Sequence, residues 1–277
     1  MLIVRPLGGL CNRLRTISSA YELANSTGNK LKIIWDIDNY SLHAPFFKLF
    51  KSIPGIVIEE NYIDSKRKFG LFLLRRFWMT NTSFTFITQS FLYKTIDDKW
   101  SEEKLKTYFE RQLKNKKNLY VECCWDFYPI NKKYYLFKPI DELQKIIDVE
   151  SQKITSQTIG IHIRRTDHTI AIKESPLELF FSKIKELCEQ HIHINFFLST
   201  DDKEVEYTLN EMFKGRIITY SNQKSRSSDE GVQQAVIDLF LLGKTKKIIG
   251  SFWSSFSMAA AEIGDIELEV VTNVPNQ

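Results

Sequence analysis

The sequence lacks a long hydrophobic run. Its longest apolar tract, FGLFLLRRFWM at residues 69–79, is interrupted by Arg75 and Arg76 and is well short of the ~20 residues needed to cross a bilayer. The first residues, MLIVRPLGG, have neither the apolar core nor the cleavage site of a secretory signal and are typical of a first β-strand. We therefore expect no transmembrane helix and at most peripheral contact with a membrane.

Cysteine is also scarce. The four cysteines form no C-x-x-C pair and follow no regular spacing: Cys11, Cys123, Cys124 and Cys188. This pattern argues against a disulfide framework and against a sulfur-ligated zinc site. We expect reduced thiols and a cytoplasmic location.

A strong excess of one charge sign is missing as well. The net charge of +4 and the pI near 8.7 suit an anionic small substrate or an anionic membrane surface, but they are too weak to indicate nucleic acid. With 43% hydrophobic and 26% charged residues, the 277-residue chain has the composition of a globular protein with one large or two ordinary domains.

The clearest pattern that is present is an alternation of strands and helices. Strand-like runs occur at residues 158–163, 194–199, 216–220, 247–251 and 267–272, separated by segments of helical length. The first half is less regular, with strands at residues 2–5, 30–38, 83–88 and 118–122 and a joining helix at residues 137–154. These runs predict an α/β fold with parallel sheets, an N-terminal domain at 1–150 and a C-terminal domain at 151–277.

One helix of the second half carries a capping signal. Ser175 is expected to be its N-cap, Pro176 its first helical residue, and Glu178 the partner that completes an S-x-x-E capping box.

The stretch TIGIHIRRTDHT, residues 158–169, combines an apolar strand with adjacent cations. Its isoleucines alternate with Gly160, His162 and Arg164, a period of two that predicts one apolar face and one face shared by His162 and Arg164. Arg165 points the opposite way if the strand continues, so the two guanidinium groups are expected to have different partners.

Two further strands end in polar residues. Asp201 and Asp202 follow one, and SFWSSFS at residues 251–257 follows another and begins a helix. In parallel α/β sheets, ligands bind beyond the carboxyl ends of the strands. Arginine matches two phosphate oxygens with its planar fork, and a helix start adds N–H groups and a favourable dipole. Together these groups predict a diphosphate site.

Ordinary structural roles remain open for the same residues. Arg165 is as well explained by a surface pair with Asp167 as by ligand contact. Ser254 has the residue type of an ordinary N-cap, and His162 taken alone fits a satisfied core position.

Asp238 lies in QQAVIDLFLLGK, a helix that is apolar nearly all round. A buried carboxylate needs a partner, and the Watson–Crick edge of guanine offers two adjacent N–H donors. A salt bridge to Lys244 or a cap contact is the alternative.

The turn LGGLCNRLR near the start contains Gly8 and Gly9 but matches neither G-x-G-x-x-G nor the P-loop pattern. The glycines permit close approach of the backbone to an interdomain cleft, with Asn12 and Arg13 pointing there. A tight structural turn is an equal alternative.

Three stretches in this order resemble the superfamily of fucosyltransferases that use GDP-fucose, which contains the α-1,2, α-1,6 and protein O-fucosyl enzymes. HIRRTD at residues 162–167 resembles its H-x-R-R-x-D motif, and GGLCNRL at residues 8–14 is similar to its G-G-x-G-N-Q motif, with Cys11 and Arg13 as departures. Residues 238–264, an Asp followed by S-S-F-S, resemble the third motif.

The resemblance implies a GT-B-like fold, with two Rossmann-like domains whose parallel sheets face each other across a cleft. The C-terminal domain holds the donor and the N-terminal domain mainly the acceptor. Carried over by motif, Arg164 and Arg165 hold the β-phosphate while His162 and Asp238 contact guanosine. The remaining substrate-binding positions match the first and third motifs: Gly9, Asn12, Arg13, Ser254, Ser255 and Phe256.

The resemblance also implies chemistry without a metal or a cofactor, in which arginine charge stabilises the departing diphosphate. Transfer is expected to invert the sugar carbon. The catalytic candidates are Arg164, together with Asp167 and Glu174 as alternative bases for the acceptor hydroxyl.

The favoured hypothesis is a glycosyltransferase that moves fucose from GDP-fucose to a bacterial surface glycan such as O-antigen or capsule. The hypothesis includes lipid-linked acceptors and peripheral contact at the inner face of the cell membrane, to which the aromatic and basic tract at residues 66–93 is a candidate contributor. A core or acceptor-loop role for that tract is the stronger alternative. The alternative functions are a non-catalytic glycan- or nucleotide-binding module, a transferase for another nucleotide sugar, and a sugar-phosphate or nucleotide hydrolase.

Overall fold

The computed structural model describes residues 1–38, 41–63, 84–95, 100–115, 118–166, 168–220 and 227–274. Contacts divide the chain into two units, Met1–Lys138 with Arg226–Asp229 and Pro139–Ser225 with Glu230–Gln277. Each unit contains a five-stranded parallel sheet, so the predicted α/β class is confirmed. The tract at residues 66–93 lies partly outside the described residues, because 64–83 are not among them.

The first sheet has the strand order β3-β2-β1-β5-β4. Its strands are β1 (Leu2–Pro6), β2 (Leu31–Ile37), β3 (Ile56–Tyr62), β4 (Phe84–Thr88) and β5 (Asn118–Cys123), and its helices are α1 (Leu10–Thr27), α2 (Gln89–Thr95) and α3 (Glu102–Asn115). A short 3-10 turn covers Phe46–Lys48. From β1 the chain adds β2 and β3 on one side of the sheet, whereas β5 and β4 lie on the other side. The carboxyl ends of the parallel neighbours β1 and β5 therefore form a topological switch point.

The second sheet has the order β10-β9-β6-β7-β8. Its strands are β6 (Ile159–Ile163), β7 (Phe196–Thr200), β8 (Ile217–Ile218), β9 (Ile248–Ser251) and β10 (Leu268–Val271). Its helices are α4 (Asp141–Glu150), α5 (Thr169–Glu174), α6 (Leu177–Gln190), α7 (Lys203–Met212), α8 (Asp229–Leu242) and α9 (Ser255–Gly264). Here the switch point lies between β6 and β9.

The isoleucine alternation of β6 decides which face meets which helix. Ile159, Ile161 and Ile163 are buried in one cluster with Phe180 and Ile184 of α6. The opposite face meets other elements: a Cβ added at Gly160 would lie 3.0 Å from Leu242 of α8. One face of β6 is therefore apolar, and the other carries His162 toward the second helical layer.

Several elements differ from the sequence expectations. Strand β3 and helices α2, α3 and α5 were not predicted, β8 has two residues instead of five, and the joining helix is shorter, with a 3-10 turn at Ser151–Lys153. Helix α4 groups with the second unit, so the contact-based division falls before it.

The capping prediction for α6 is wrong. The helix begins at Leu177, Pro176 occupies the N-cap position without a side-chain bond, and Ser175 precedes it. The Ser175 hydroxyl instead accepts from the Phe252 N–H at 2.8 Å and donates to the Val271 carbonyl. Ser175 therefore connects distant segments of the chain and does not cap α6.

Candidate functional site

Polar groups of the second unit converge at the switch point between β6 and β9. The segment after β6 carries Arg164 and Arg165, and the segment after β9 leads into α9 through Ser254. The Ser251 hydroxyl at the end of β9 accepts a hydrogen bond from the Arg164 backbone N–H at 2.9 Å, which joins the two strand ends directly.

His162 connects β6 to the first turn of α9. Its Nδ1 lies 2.7 Å from Ser257 Oγ and 3.5 Å from Ser254 Oγ. Its ring stacks on Phe256, with centroids 4.8 Å apart and planes at 25°. His162 is buried and has protein partners, yet those partners are the SSFS residues that the sequence singled out.

Arg164 is buried at the carboxyl end of β6, where its charge is compensated. Its guanidinium forms an ion pair with Asp201 and contacts Thr166 Oγ1 at 3.4 Å. Asp201 also accepts hydrogen bonds from the Arg165 backbone N–H at 2.8 Å and from the Thr166 hydroxyl at 2.7 Å. Asp201 thus holds the guanidinium of Arg164 and the backbone behind it in one orientation.

Arg165 has partners different from those of Arg164, although β6 ends at Ile163 and the strand alternation does not reach Arg165. Its guanidinium donates to the Ser175 carbonyl at 2.7 Å and to the Ile172 carbonyl at 3.5 Å. Burial lowers the pKa of Arg165, while the charges of Asp202 and Glu178 oppose that shift. Arg165 therefore fixes the backbone between β6 and α6, whereas Arg164 lies where the strands end.

Asp238 reaches the same region from α8. Its Oδ2 accepts from the Ser199 hydroxyl at 3.0 Å. Ser199 on β7 and Gly250 on β9 are both register partners of His162 on β6. The carboxylate therefore lies close to His162 and its register partners, and Ser199 is one of its hydrogen-bond partners.

The N-terminus of α9 presents backbone donors at this place. Ser254 occupies the N-cap position, but its side chain makes no capping hydrogen bond. Ser255 and Phe256 in the first turn are half-buried. The leading N–H groups of a helix attract anions through their dipoles and their unused hydrogen-bonding capacity.

The other carboxylates predicted for the site, Asp202, Glu174 and Asp167, do not form one cluster among the described residues. Asp202 caps α7, where its Oδ1 accepts from the N–H groups of Glu204 at 2.8 Å and Val205 at 3.3 Å. Glu174 is half-buried and pairs with Lys173 at 3.0 Å. Asp167 lies outside the described residues.

In the first unit, Arg13 is buried within the fold. Its guanidinium lies over the Trp35 ring at 5.0 Å, donates to the Gly8 carbonyl at 2.8 Å and to the Asp36 carbonyl, and pairs with Asp38 at 3.3 Å. Burial lowers the pKa of Arg13, and Asp38 and Asp36 oppose that shift. Arg13 therefore stabilises the ends of β1 and β2.

The glycine turn contains a left-handed residue, which both a close backbone approach and a tight structural turn require. Gly8 has φ +80°, which glycine adopts readily, and Gly9 is the N-cap residue of α1. Asn12 in the first turn is half-buried, and its Oδ1 has no hydrogen-bond partner among the residues that the structure describes. The Gly9 carbonyl accepts from the Arg13 N–H at 3.1 Å, which leaves Asn12 Oδ1 as the predicted group without a partner in the described part of this unit.

A charged cluster at the carboxyl ends of the first sheet was missed. Arg5 pairs with Asp36 at 2.5 Å and with Glu122 at 3.1 Å, and Asn61 donates to Asp36 at 2.9 Å. Arg5 and Glu122 are direct register partners on β1 and β5. The available signal was a charged residue near the carboxyl end of each of three apolar strands: Arg5 in LIVRP, Asp36 in LKIIWDI and Glu122 in NLYVEC.

Two features are absent from the described part of the chain. Its helices include none with the length and apolarity to cross a membrane. Its His, Cys, Asp and Glu side chains form no group of three or more suited to a metal ion.

No protein-family model matches the sequence, and no curated protein does. Solved fucosyltransferase structures do match. The α-1,6-fucosyltransferase NodZ soaked with GDP-fucose has a TM-score of 0.60 at 19% identity, covering 95% of this chain and 92% of that one. A variant of Arabidopsis thaliana FUT1 in complex with GDP has a TM-score of 0.60 at 15% identity, covering 99% of this chain and 70% of that one. POFUT1 in complex with GDP-fucose has a TM-score of 0.59 at 10% identity, covering 99% of this chain and 98% of that one. The chain therefore has the GT-B-like α/β fold of these fucosyltransferases.

Proposed function

We propose that the protein is a fucosyltransferase that binds GDP-fucose in its second unit and transfers fucose to a hydroxyl of an acceptor glycan. The observation that carries the proposal is the convergence at the β6–β9 switch point of Arg164, the N-terminus of α9 and Asp238. A cation and helix N–H groups suit a diphosphate, and a carboxylate suits the two adjacent N–H donors of guanine. NodZ and POFUT1, which share the fold, are solved with GDP-fucose.

The chemistry assigned to the site is a single displacement. The acceptor oxygen bonds to the anomeric carbon of fucose while the bond to the β-phosphate oxygen breaks, and that electron pair leaves with GDP. Arg164 and the α9 N–H groups stabilise the growing charge on the diphosphate without a metal. The hydroxyl proton passes to a carboxylate, for which Asp167 and Glu174 are the candidates. Attack opposite the leaving group inverts the carbon.

Binding of GDP in EDTA tests the donor assignment. Calorimetry is expected to show GDP binding that EDTA does not change, with UDP and ADP at least tenfold weaker. Arg164→Lys loses the two-pronged contact and should weaken GDP binding about tenfold. Arg216→Lys is the matched control, since Arg216 lies at the amino end of β8 and contacts the Ile194 carbonyl at 3.4 Å. Equal affinity for all three nucleotides, or a strict need for a divalent ion, would contradict the assignment.

Transfer is tested with GDP-fucose and a panel of bacterial surface glycans, including lipid-linked ones. Product formation that depends on the acceptor supports the enzyme. Release of GDP without an acceptor indicates a hydrolase, and GDP-fucose binding without turnover indicates a binding module. Glu174→Gln and Asp167→Asn identify the base, because the variant that lacks it keeps GDP affinity and loses kcat.

A further inference from the structure

Ser175 joins three segments through one hydroxyl. The residue is fully buried between α5 and α6. Its oxygen accepts from the Phe252 N–H, just after β9, at 2.8 Å and donates to the carbonyl of Val271, the last residue of β10. The segment after β6 is thereby tied to the carboxyl ends of two neighbouring strands.

Arg165 fixes Ser175 from the other side. Its guanidinium donates to the Ser175 carbonyl at 2.7 Å and to the Ile172 carbonyl at 3.5 Å, one turn earlier. The Asn273 N–H donates to the neighbouring Glu174 carbonyl at 2.8 Å, which adds a second tie to the region after β10. The backbone around Ser175 is therefore held independently of its hydroxyl.

The turn that Ser175 holds contains an unfavourable backbone conformation. Trp253 has φ +54°, in the left-handed region that a bulky residue rarely adopts, and its side chain is 68% exposed. Such a conformation persists only when neighbouring contacts enforce it. The Phe252 N–H bond to Ser175 lies immediately before Trp253, and the N-terminus of α9 lies immediately after it.

We infer that Ser175, held by Arg165, is a positioning residue of the donor site, which sets the Phe252–Ser254 turn and thereby aims the first N–H groups of α9 at the diphosphate. The inference rests on the proposed function, because the ligand is the nucleoside diphosphate of that site. It also assigns to Arg165 a role in the loop backbone in place of direct phosphate contact.

Ser19 provides a matched control in the first unit. It is fully buried, and its hydroxyl likewise donates to a backbone carbonyl and accepts from a backbone N–H, both of Tyr128 and both at 2.7 Å. Ser175→Ala and Ser19→Ala therefore each remove one hydrogen bond to a backbone carbonyl and one from a backbone N–H, at two different places in the fold.

The test compares both variants with the native chain by thermal unfolding, by GDP calorimetry and by hydrogen exchange without ligand. Both should lower Tm by similar amounts. Only Ser175→Ala should raise the Kd for GDP, by about tenfold, and speed exchange in peptides covering residues 251–257. Ser175→Cys, which keeps a weak donor and acceptor, is used if the alanine variant is unfolded and should show a smaller effect in the same direction.

The possible results distinguish failure of the proposed function from failure of the positioning role alone. A native chain that does not bind GDP refutes the proposed function, and the positioning role falls with it. Native GDP binding that Ser175→Ala leaves unchanged, or that Ser19→Ala weakens equally, overturns the positioning role alone. Unchanged exchange in residues 251–257 overturns it as well.

Discussion

The Ser199 hydroxyl donates a 3.0 Å hydrogen bond to Asp238 Oδ2, and Ser199 is the register partner of His162 on the adjacent strand. One residue of β7 thus connects a carboxylate on α8 with the polar face of β6. This places the proposed base-reading group beside the proposed diphosphate site of the same unit, although the two lie far apart in sequence.

Asp238→Asn should remove most of the preference for guanine. The amide keeps one oxygen, and Ser199 can still bond to it, but its NH2 group presents a donor to the donors of guanine. We expect GDP affinity to fall about 10–100-fold, as for a lost two-pronged base contact, and the advantage over UDP to shrink. Calorimetry with GDP, UDP and ADP measures both effects.

The control for this substitution is Asp202→Asn. It removes the same charge at the carboxyl end of β7, but asparagine caps a helix as well as aspartate does, so α7 and GDP affinity should be unchanged. A similar loss in both variants would point to net charge in place of base recognition.

Gly250→Ala should disturb the same site by overlap. An added Cβ would lie 2.6 Å from Ser257 Oγ and 2.7 Å from Ser257 Cβ, so Ser257 must move away from β9, which disturbs its 2.7 Å contact with His162. Overpacking of this kind costs about 1–3 kcal/mol, and GDP affinity should fall with it. Urea unfolding and calorimetry give the two values.

Gly215→Ala is the control for Gly250→Ala, because it strains the backbone without steric overlap. Gly215 has φ +76° and open space around its Cβ position, so alanine there costs about 1–2 kcal/mol through its left-handed conformation alone. It should leave GDP binding intact. If Gly250→Ala also leaves it intact, the contact between His162 and Ser257 is not part of the donor site.

The fold class was predictable because the period of two residues in strands and the period of 3.6 residues in helices can both be read from short stretches of sequence. The isoleucine alternation of β6 predicted its faces, and the regular spacing of strands in the second half predicted a parallel sheet. Strand β3 was missed because IVIEENY lies at the edge of its sheet, where the adjacent Glu59 and Glu60 end a short apolar run. Element boundaries depend on such contacts and not on the local period.

The site was predictable only as a set of strand ends. Parallel strands bring their carboxyl ends together, so HIRRTD, LSTDD and SFWSSFS could be placed at one edge without a structure. Which residues pair there could not be predicted. Ser175 satisfies the S-x-x-E rule, yet its hydroxyl bonds to Phe252 and Val271, because tertiary partners compete with the local cap.

Cys123 should be inert in the native protein. Burial raises the pKa of its thiol to about 12, so the reactive thiolate is scarce at pH 8. All four cysteines are free thiols, and Cys11 is buried as well. Titration with a disulfide reagent at pH 8 should therefore label at most Cys124 and Cys188 before unfolding and four thiols after it. Rapid native labelling of Cys123 would contradict the burial.

Glu269 on β10 links its strand to two neighbouring elements. It pairs with Lys183 of α6 at 2.8 Å and with Lys247 before β9 at 2.6 Å. Partial burial alone raises the pKa of this carboxyl, but the hydrogen bonds and charges of the two lysines outweigh burial and lower it. A lowered pKa means that the folded state favours the ionised carboxylate more than the unfolded chain does.

Glu269→Gln should therefore destabilise the protein near neutral pH and cost progressively less in acid. The stabilisation is fully present above the pKa that Glu269 has in the unfolded chain and is lost as the pH falls through its lower folded pKa. Urea midpoints of the variant and the native chain between pH 7 and pH 3 should converge. Glu211→Gln, which breaks only the surface pair with Lys214, should match the native chain throughout, because such pairs contribute little. A Glu269→Gln difference that stays constant down to pH 3 would show that packing, and not the two lysine pairs, accounts for the loss.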